Sequence, residues 1–444
     1  MTFPAGYHHQ PLDDSFREAA FTLDTWAFPS STTPEDWTEI EFPMDWTRFV
    51  GVVADGPDPD AVPIDGAAPA RSDLVAMYGS YAFDRFPVPG TEIPVGGLTW
   101  VGVHPQHRRR GILRGMITDH LDACAARGET VSALFAAEAA IYGRFGYGLA
   151  AHDVRLTIPR AARLRDVPGA GTHTVRLEIA DADRHGALVE SVHREAGRRP
   201  LGVDGPRGAL LNRPGWAGRD DPSLARRMLL DPPVWRGGKE ARRIVVVERD
   251  GEPRGFATFR RSSEWRDEGP RGTVHVGEVA ALDVAAAHDL WSVLLDLDLM
   301  AKVETFLLPP DDAILGLLVD PRAAGTKRVD NVWLRLVDVA GALASRRYQA
   351  DVDVVLHVTD ELRPANAGSY RVRATAFAEP EVTRTHDDAD LSLDVSALGA
   401  AYLGGQTLAA LGLAGRVTEL RSGALATASA AFGWPVAPSC SFVF

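Results

Sequence analysis

The chain has 444 residues, too many for one ordinary core at about 100–200 residues per domain, so about three domains are expected. Its 47 basic and 60 acidic residues leave a net charge of −13, which argues against a nucleic-acid or anionic-membrane binder. Only Cys124 and Cys440 are present, so there is neither a disulfide framework nor a thiolate zinc site, and both are expected to be small core residues. The stretch MTFPAGYHHQPLDDSF lacks the basic start and apolar run of a signal peptide, and no apolar run approaches the roughly 18 residues of a membrane span; a cytoplasmic protein is the expectation.

Residues 14–28 place Phe16, Ala20, Leu23 and Ala27 at helical intervals, with Asp13 or Asp14 as the cap. Thr47 to Ala54 reads as a strand, and DGPDPDAVPIDGAAPARS (55–72) as a surface loop. Strands are expected at Leu74 to Phe83 and Gly97 to Val103, with FPVPG (86–90) turning between them. From Gly111 to Arg127, Ile112, Met116, Ile117, His120, Leu121 and Cys124 form the buried face of a helix closed by Gly128. Val131 to Ala137 follows as a short apolar strand, making a right-handed crossover with parallel neighbours.

Within this unit, LTWVGVHPQHRRRGILRG (98–115) carries the chemistry. A buried strand hands over to Arg108, Arg109 and Arg110, then to Gly111 and a helix. The first N–H groups of a helix are unpaired, its dipole favours negative charge, and the arginines add positive charge. Glycine lets the backbone approach a ligand closely. The stretch therefore reads as a seat for an anionic phosphate chain. Rossmann and Walker fingerprints do not fit it, because neither GxGxxG nor GxxxxGK[ST] occurs here.

A second region, about 158–335, repeats the plan: a hairpin from Arg243 to Val247 and Gly255 to Arg260, a strand at Val274 to Leu282, a helix at His288 to Val303 and a strand at Ala313 to Val319. In place of the arginine loop it has LDVAAAHD (282–289), with nothing to hold a pyrophosphate, so it reads as a degenerate copy that walls the cleft. The third region has strands at Val352 to Val358, Tyr370 to Phe377 and Leu391 to Val395, then helices at Ser396 to Leu403, Thr407 to Leu413 and Gly423 to Phe432. Strands and helices thus segregated imply an α+β domain.

The run Val101, Val103, Pro105, Arg108, Arg109, Gly111 and Ile112 closely resembles the acyl-coenzyme A pyrophosphate loop of GNAT acetyltransferases. DLSLDVSALGAAYLGG (390–405) is similar to a sterol-carrier-like domain. With IYGRFGYG (141–148), VWLRLVD (332–338) and the end CSFVF (440–444), the whole chain resembles the Eis (enhanced intracellular survival) family. The resemblance implies α/β and α+β architecture: a catalytic GNAT domain at 1–157, a degenerate GNAT-like domain at 158–335, and a sterol-carrier-like domain at 336–444 that supplies the terminal carboxylate. It implies acetyl-CoA as donor, no metal, and a homo-hexamer. The implied acceptors are amines of aminoglycoside-like polycations, with lysine side chains or polyamines as the alternative.

Carried over by position, the backbones of Val101 and Val103 would pair with the pantetheine arm, and Arg108, Arg109, Gly111 and Ile112 would hold the pyrophosphate. Tyr142 would be the general acid and the α-carboxylate of Phe444 the general base. The family usually has Ser-Glu after the splayed strand; here Ala137 precedes Glu138, removing one hydroxyl contact to the cofactor and weakening binding modestly. The penultimate residue is Val443, so no acidic side chain adjoins the terminal carboxylate in sequence. Trp26, Phe28, Trp37, Trp46 and Trp100, with Asp24, Glu35, Asp36 and Glu39, would suit an aromatic and acidic acceptor cleft. His8, His9, His104, His107 and His120 lack metal-ligand spacing. A hydrophobe carrier using the third region is the reading from a different functional class.

Overall fold

The computed structural model describes residues 3–29, 32–33, 36, 45–55 and 74–444. Glu35, Trp37, Glu39 and all but the first residue of the expected 55–72 loop lie outside the described residues. Asp13 accepts from the Ser15 N–H at 2.8 Å and caps a 3₁₀ turn leading into helix α1 (Arg17–Ala27), which buries Ala20, Phe21 and Leu23. Strands β1 (Tyr7–Pro11), β2 (Phe49–Ala54), β3 (Leu74–Val88) and β4 (Thr91–Val103) form an antiparallel meander, and helix α2 (Ile112–Ala126) crosses to β5 (Val131–Phe135), parallel to β4. FPVPG is mostly strand: β3 continues to Val88, and the reversal falls at Gly90, φ +74°.

This sheet is completed from far along the chain. The strand Val332–Leu336 pairs antiparallel with β5, and Gly148–Leu149 pairs on its other side. Val332, Leu334 and Leu336 alternate onto one face and are fully buried, as a strand with period two requires. Their core cluster is shared with the third region, including Leu398 and Tyr402, so the two regions pack as one body there.

The second region is a six-stranded sheet whose parallel pair, Gly272–Ala281 with Met300–Glu304, is joined by the helix Val284–Leu295. That helix starts earlier than expected because Asp283 caps it, and the segment expected as its end is the parallel strand. Ala313–Leu317 is a helix, not a strand: Asp312 accepts from the Ile314 N–H at 3.0 Å, and a short apolar run alone cannot separate the two. The third region has a five-stranded sheet, including two short polar strands, Glu381–Thr385 and Val417–Glu419, that no hydrophobic pattern announced. Leu398 and Phe432 from its helices, with Tyr402 just past the first of them, pack with Leu356 and Val358 of its sheet, all essentially without exposure.

Candidate active site

Strands β4 and β5 pair only from Val95 to Gly97 against Val131 to Ala133. Beyond that point they part, so among the described strands the edge of β4 from Leu98 to Val103 has no partner on this side. The opposite register, with β3, slips by one residue between Gly79↔Thr99 and Met77↔Gly102. Trp100, at φ +52°, sits in the resulting bulge, a device that re-aims a strand beside a site. Val101 and Val103 lie half-buried at the open edge.

The chain then turns through Pro105–His107 into the arginine loop. Arg109 (φ +63°) and Gly111 (φ +89°) both adopt left-handed backbone, a conformation that makes anion-binding concavities of successive N–H groups. Gly111 is the N-cap of α2 and offers no side chain to the first helical N–H groups, which are left for a ligand. Arg110 donates to the Tyr7 hydroxyl at 2.9 Å, which in turn meets His107 Nδ1 at 3.0 Å. Arg108 and Arg109 are exposed and form no ion pair with a described residue. Burial, with His107 and Arg108 adding repulsion, lowers the His104 pKa and keeps that imidazole neutral beside the loop.

The second region inverts this chemistry. The Asp283 carboxylate accepts from the Ala286 N–H at 2.8 Å and pairs with Arg254 at the same distance. A helix N-terminus already filled by a carboxylate repels a pyrophosphate, so the two halves share a fold and differ in the charge at this helix start.

Tyr142 ends the short helix Ala139–Tyr142 and joins the apolar cluster of Leu98, Val101, Val103, Ile112 and Leu134. No described residue hydrogen-bonds its hydroxyl, and burial, then the Glu138 charge, push its pKa up to about 12. Its ring stands edge-on to Tyr147 at 5.9 Å; the Tyr147 hydroxyl joins Ser132 and His120 in a buried chain of 2.8 and 2.7 Å contacts. The following loop is gripped by Arg335, fully buried on the strand Val332–Leu336, whose Nε donates to the Phe145 carbonyl at 2.9 Å while its Nη2 takes both Asp360 oxygens at 2.8 and 2.7 Å. Gly146 (φ +84°) is required where that guanidinium passes.

The carboxyl-terminal residues thread back to the first region's sheet. Asn331 holds both the N–H and the carbonyl of Cys440 at 2.8 and 3.1 Å, Arg213 and Asp311 grip Ala437, and His193 meets the Ser441 hydroxyl at 2.8 Å. The Phe444 ring packs against Phe83 of β3 at 4.8 Å, Phe135 at the end of β5 at 5.3 Å, and Tyr81 at 6.2 Å. The Phe444 side chain is thus buried against β3 and the end of β5, close to where β4 and β5 part.

The expected aromatic cleft divides. Trp26 is half-exposed with its ring on His104, whereas Trp46 and Trp100 flank Phe49 at 5.4 and 5.8 Å as packing residues. Asp24 is buried enough that its carboxyl pKa is pushed up to about 6. Among the described residues no group of three or more His, Cys, Asp or Glu could hold a metal ion, and Cys124 and Cys440 are buried. Sequence reasoning missed Trp235, which touches Phe21 opposite Trp100, and the polar clamps on the tail; these residues acquire roles only through contacts distant in the chain.

Two GNAT folds, one with an open phosphate loop and one with it closed, followed by an α+β domain, define an acyltransferase of the GNAT class. GNAT acetyltransferase domain families match residues 9–150 and 215–336, and a sterol carrier protein domain family matches 339–441. The N-acetyltransferase Eis of Mycobacterium tuberculosis is 31% identical over 430 residues, 93% of this chain and 98% of that protein. An uncharacterized N-acetyltransferase of Streptomyces coelicolor is 43% identical over 375 residues, 84% and 86% of the two chains. The crystal structure of Eis1 from Mycobacterium abscessus superposes with a TM-score of 0.77 at 30% identity, covering 98% of this chain and 100% of that one. The chain belongs to the Eis family of GNAT N-acetyltransferases.

Proposed function

We propose that this N-acetyltransferase transfers an acetyl group to a primary amine of a small molecule, with Tyr142 as general acid and the α-carboxylate of Phe444 as general base. Acetyl-CoA supplies the acetyl group as a thioester; Arg108, Arg109, Gly111 and Ile112 are the residues that fit its pyrophosphate, and the open edge at Val101 and Val103 fits its arm. The carboxylate binds the acceptor ammonium and takes its proton, directly or through water, as the site excludes solvent. The bulge N–H groups polarise the thioester carbonyl, and Tyr142, protonated throughout the physiological range, donates to the departing thiolate.

The observation that carries this reading is the seating of Phe444 against Phe135 and Phe83, where β4 and β5 part. It also weighs against the hydrophobe-carrier alternative, since the terminus is committed to the first region. Aminoglycosides, polyamines and lysine side chains form the acceptor panel. Support for an amine acceptor comes from Asp24 and from a small cleft of about 60 Å³ in which Asp45, Asp84, Asp220 and Asp221 outnumber Arg48 and Arg85, the last of which is paired with Asp220. The test is thiol release from acetyl-CoA across that panel, beside a variant lacking Phe444. Turnover that collapses on truncation supports the reading; equal turnover in both proteins overturns the role of the terminus.

A further inference from the structure

A larger cleft, about 380 Å³, runs between the tail residues Ser441 to Val443 and the second region's sheet. Its walls carry Arg227, Arg236, Lys239, Arg242 and Arg260, five cations in a chain whose net charge is −13. Arg236 and Arg260 share Asp231, and the one acidic residue lining the cleft, Glu278, is committed to the buried Arg219. Arg227, Lys239 and Arg242 have no carboxylate within ion-pair distance among the described residues.

Arg227 combines partial burial with an unmet hydrogen-bond donor. Its Nη1 is buried without a hydrogen-bond acceptor, and its guanidinium lies over the Trp235 ring at 4.8 Å. A buried donor left unmet is costly, and the cost is removed by an acceptor that a ligand brings. Burial lowers the Arg227 pKa, and burial with the neighbouring Arg260 pushes Arg242 down to about 10 against the opposing pull of Asp231 and Glu278.

The cleft adjoins the chemistry. Trp235 touches Phe21, which also packs against Trp100 of the β4 bulge at 5.9 Å. Val443, which precedes the proposed base, is exposed on the cleft wall. We propose that this cleft binds an anionic group of the acceptor, so that the preferred substrate is an amine carrying a carboxylate or phosphate at its far end, read by Arg227 with Arg242 and Lys239. This rests on the acetyl-transfer reading above and narrows it: a uniformly polycationic acceptor would meet repulsion here.

The test compares 6-aminohexanoate and 6-aminohexyl phosphate with hexylamine, acceptors matched in chain length. In the wild type, kcat/KM for either acid should exceed that for hexylamine at least tenfold. In Arg227→Gln the ratio should fall to within about threefold of unity, while Arg227→Lys keeps most of it; using a ratio within each protein cancels any general loss of activity. Carboxylate and phosphate arms distinguish the two anions. Hexanoate, which has no amine, should raise the melting temperature of the wild type and not of Arg227→Gln. A wild type that prefers hexylamine or 1,6-diaminohexane, or a preference unchanged in Arg227→Gln, overturns the proposal. If no amine is acetylated, the acetyl-transfer reading fails, and the hexanoate shift alone still decides whether the cleft binds anions.

Discussion

Two carboxyl and phenol groups bring the chemistry down to single protons. Tyr142, held near 12 by burial, keeps its proton well above neutral pH, so Tyr142→Phe should lower kcat about 100-fold and leave the acetyl-CoA KM within about twofold. For the same reason the wild-type pH–rate profile should show no falling limb from this group below pH 10. Asp24 poses a stability question. Its folded pKa, about 6, lies above the ordinary 3.8, so the native state holds the proton more tightly than the unfolded chain. Stability from this group is complete below about pH 4 and is lost as pH rises through 6. Asp24→Asn should therefore stabilise the protein at pH 8 by about 1–3 kcal/mol and have little effect at pH 4, readable as melting temperature against pH.

The elements of the site were legible to different degrees, and the difference is one of range. The strand, arginine loop and helix from Leu98 to Ala126 form a local unit, so spacing and residue type located it, and the missing side-chain cap at Gly111 against the Asp283 cap in the second region explains why one copy suits a pyrophosphate. The bulge at Trp100 could not be read, because it depends on register with β3. Nor could the role of Arg335, which in sequence is a lone charge in an apolar strand. Arg335→Met should cost about 3–5 kcal/mol in a denaturant titration, because it strands the buried Asp360 carboxylate, and joint replacement with Asp360→Leu should recover much of it. In the phosphate loop, Arg108→Ala and Arg109→Ala should each weaken acetyl-CoA binding by about tenfold, with the thermal shift produced by acetyl-CoA shrinking in step.

At the scale of the whole molecule, the strand Val332–Leu336, at the junction of the second and third regions, completes the first region's sheet, and the third region supplies its buried counter-ion Asp360 and the tail. Helix Val395–Ala401 lies so close to Gly148 that a Cβ there would collide with the Ser396 carbonyl and the Ala400 nitrogen. The tail that follows is fixed by polar groups of the second region and its boundaries, Arg213, Asp311, His193 and Asn331, so all three regions are needed to seat Phe444. Adding one glycine after Phe444 keeps every one of these clamps and the ring contacts but moves the carboxylate one residue onward. Turnover should drop at least 100-fold while the melting temperature and its rise with acetyl-CoA stay unchanged. Asn331→Leu removes the clamp instead, leaving the Cys440 N–H and carbonyl unmet in a buried strand of chain; it should lower stability by about 1–3 kcal/mol and turnover together. If the extended protein keeps full turnover, the carboxylate is not the base, and the burial of Phe444 is packing alone.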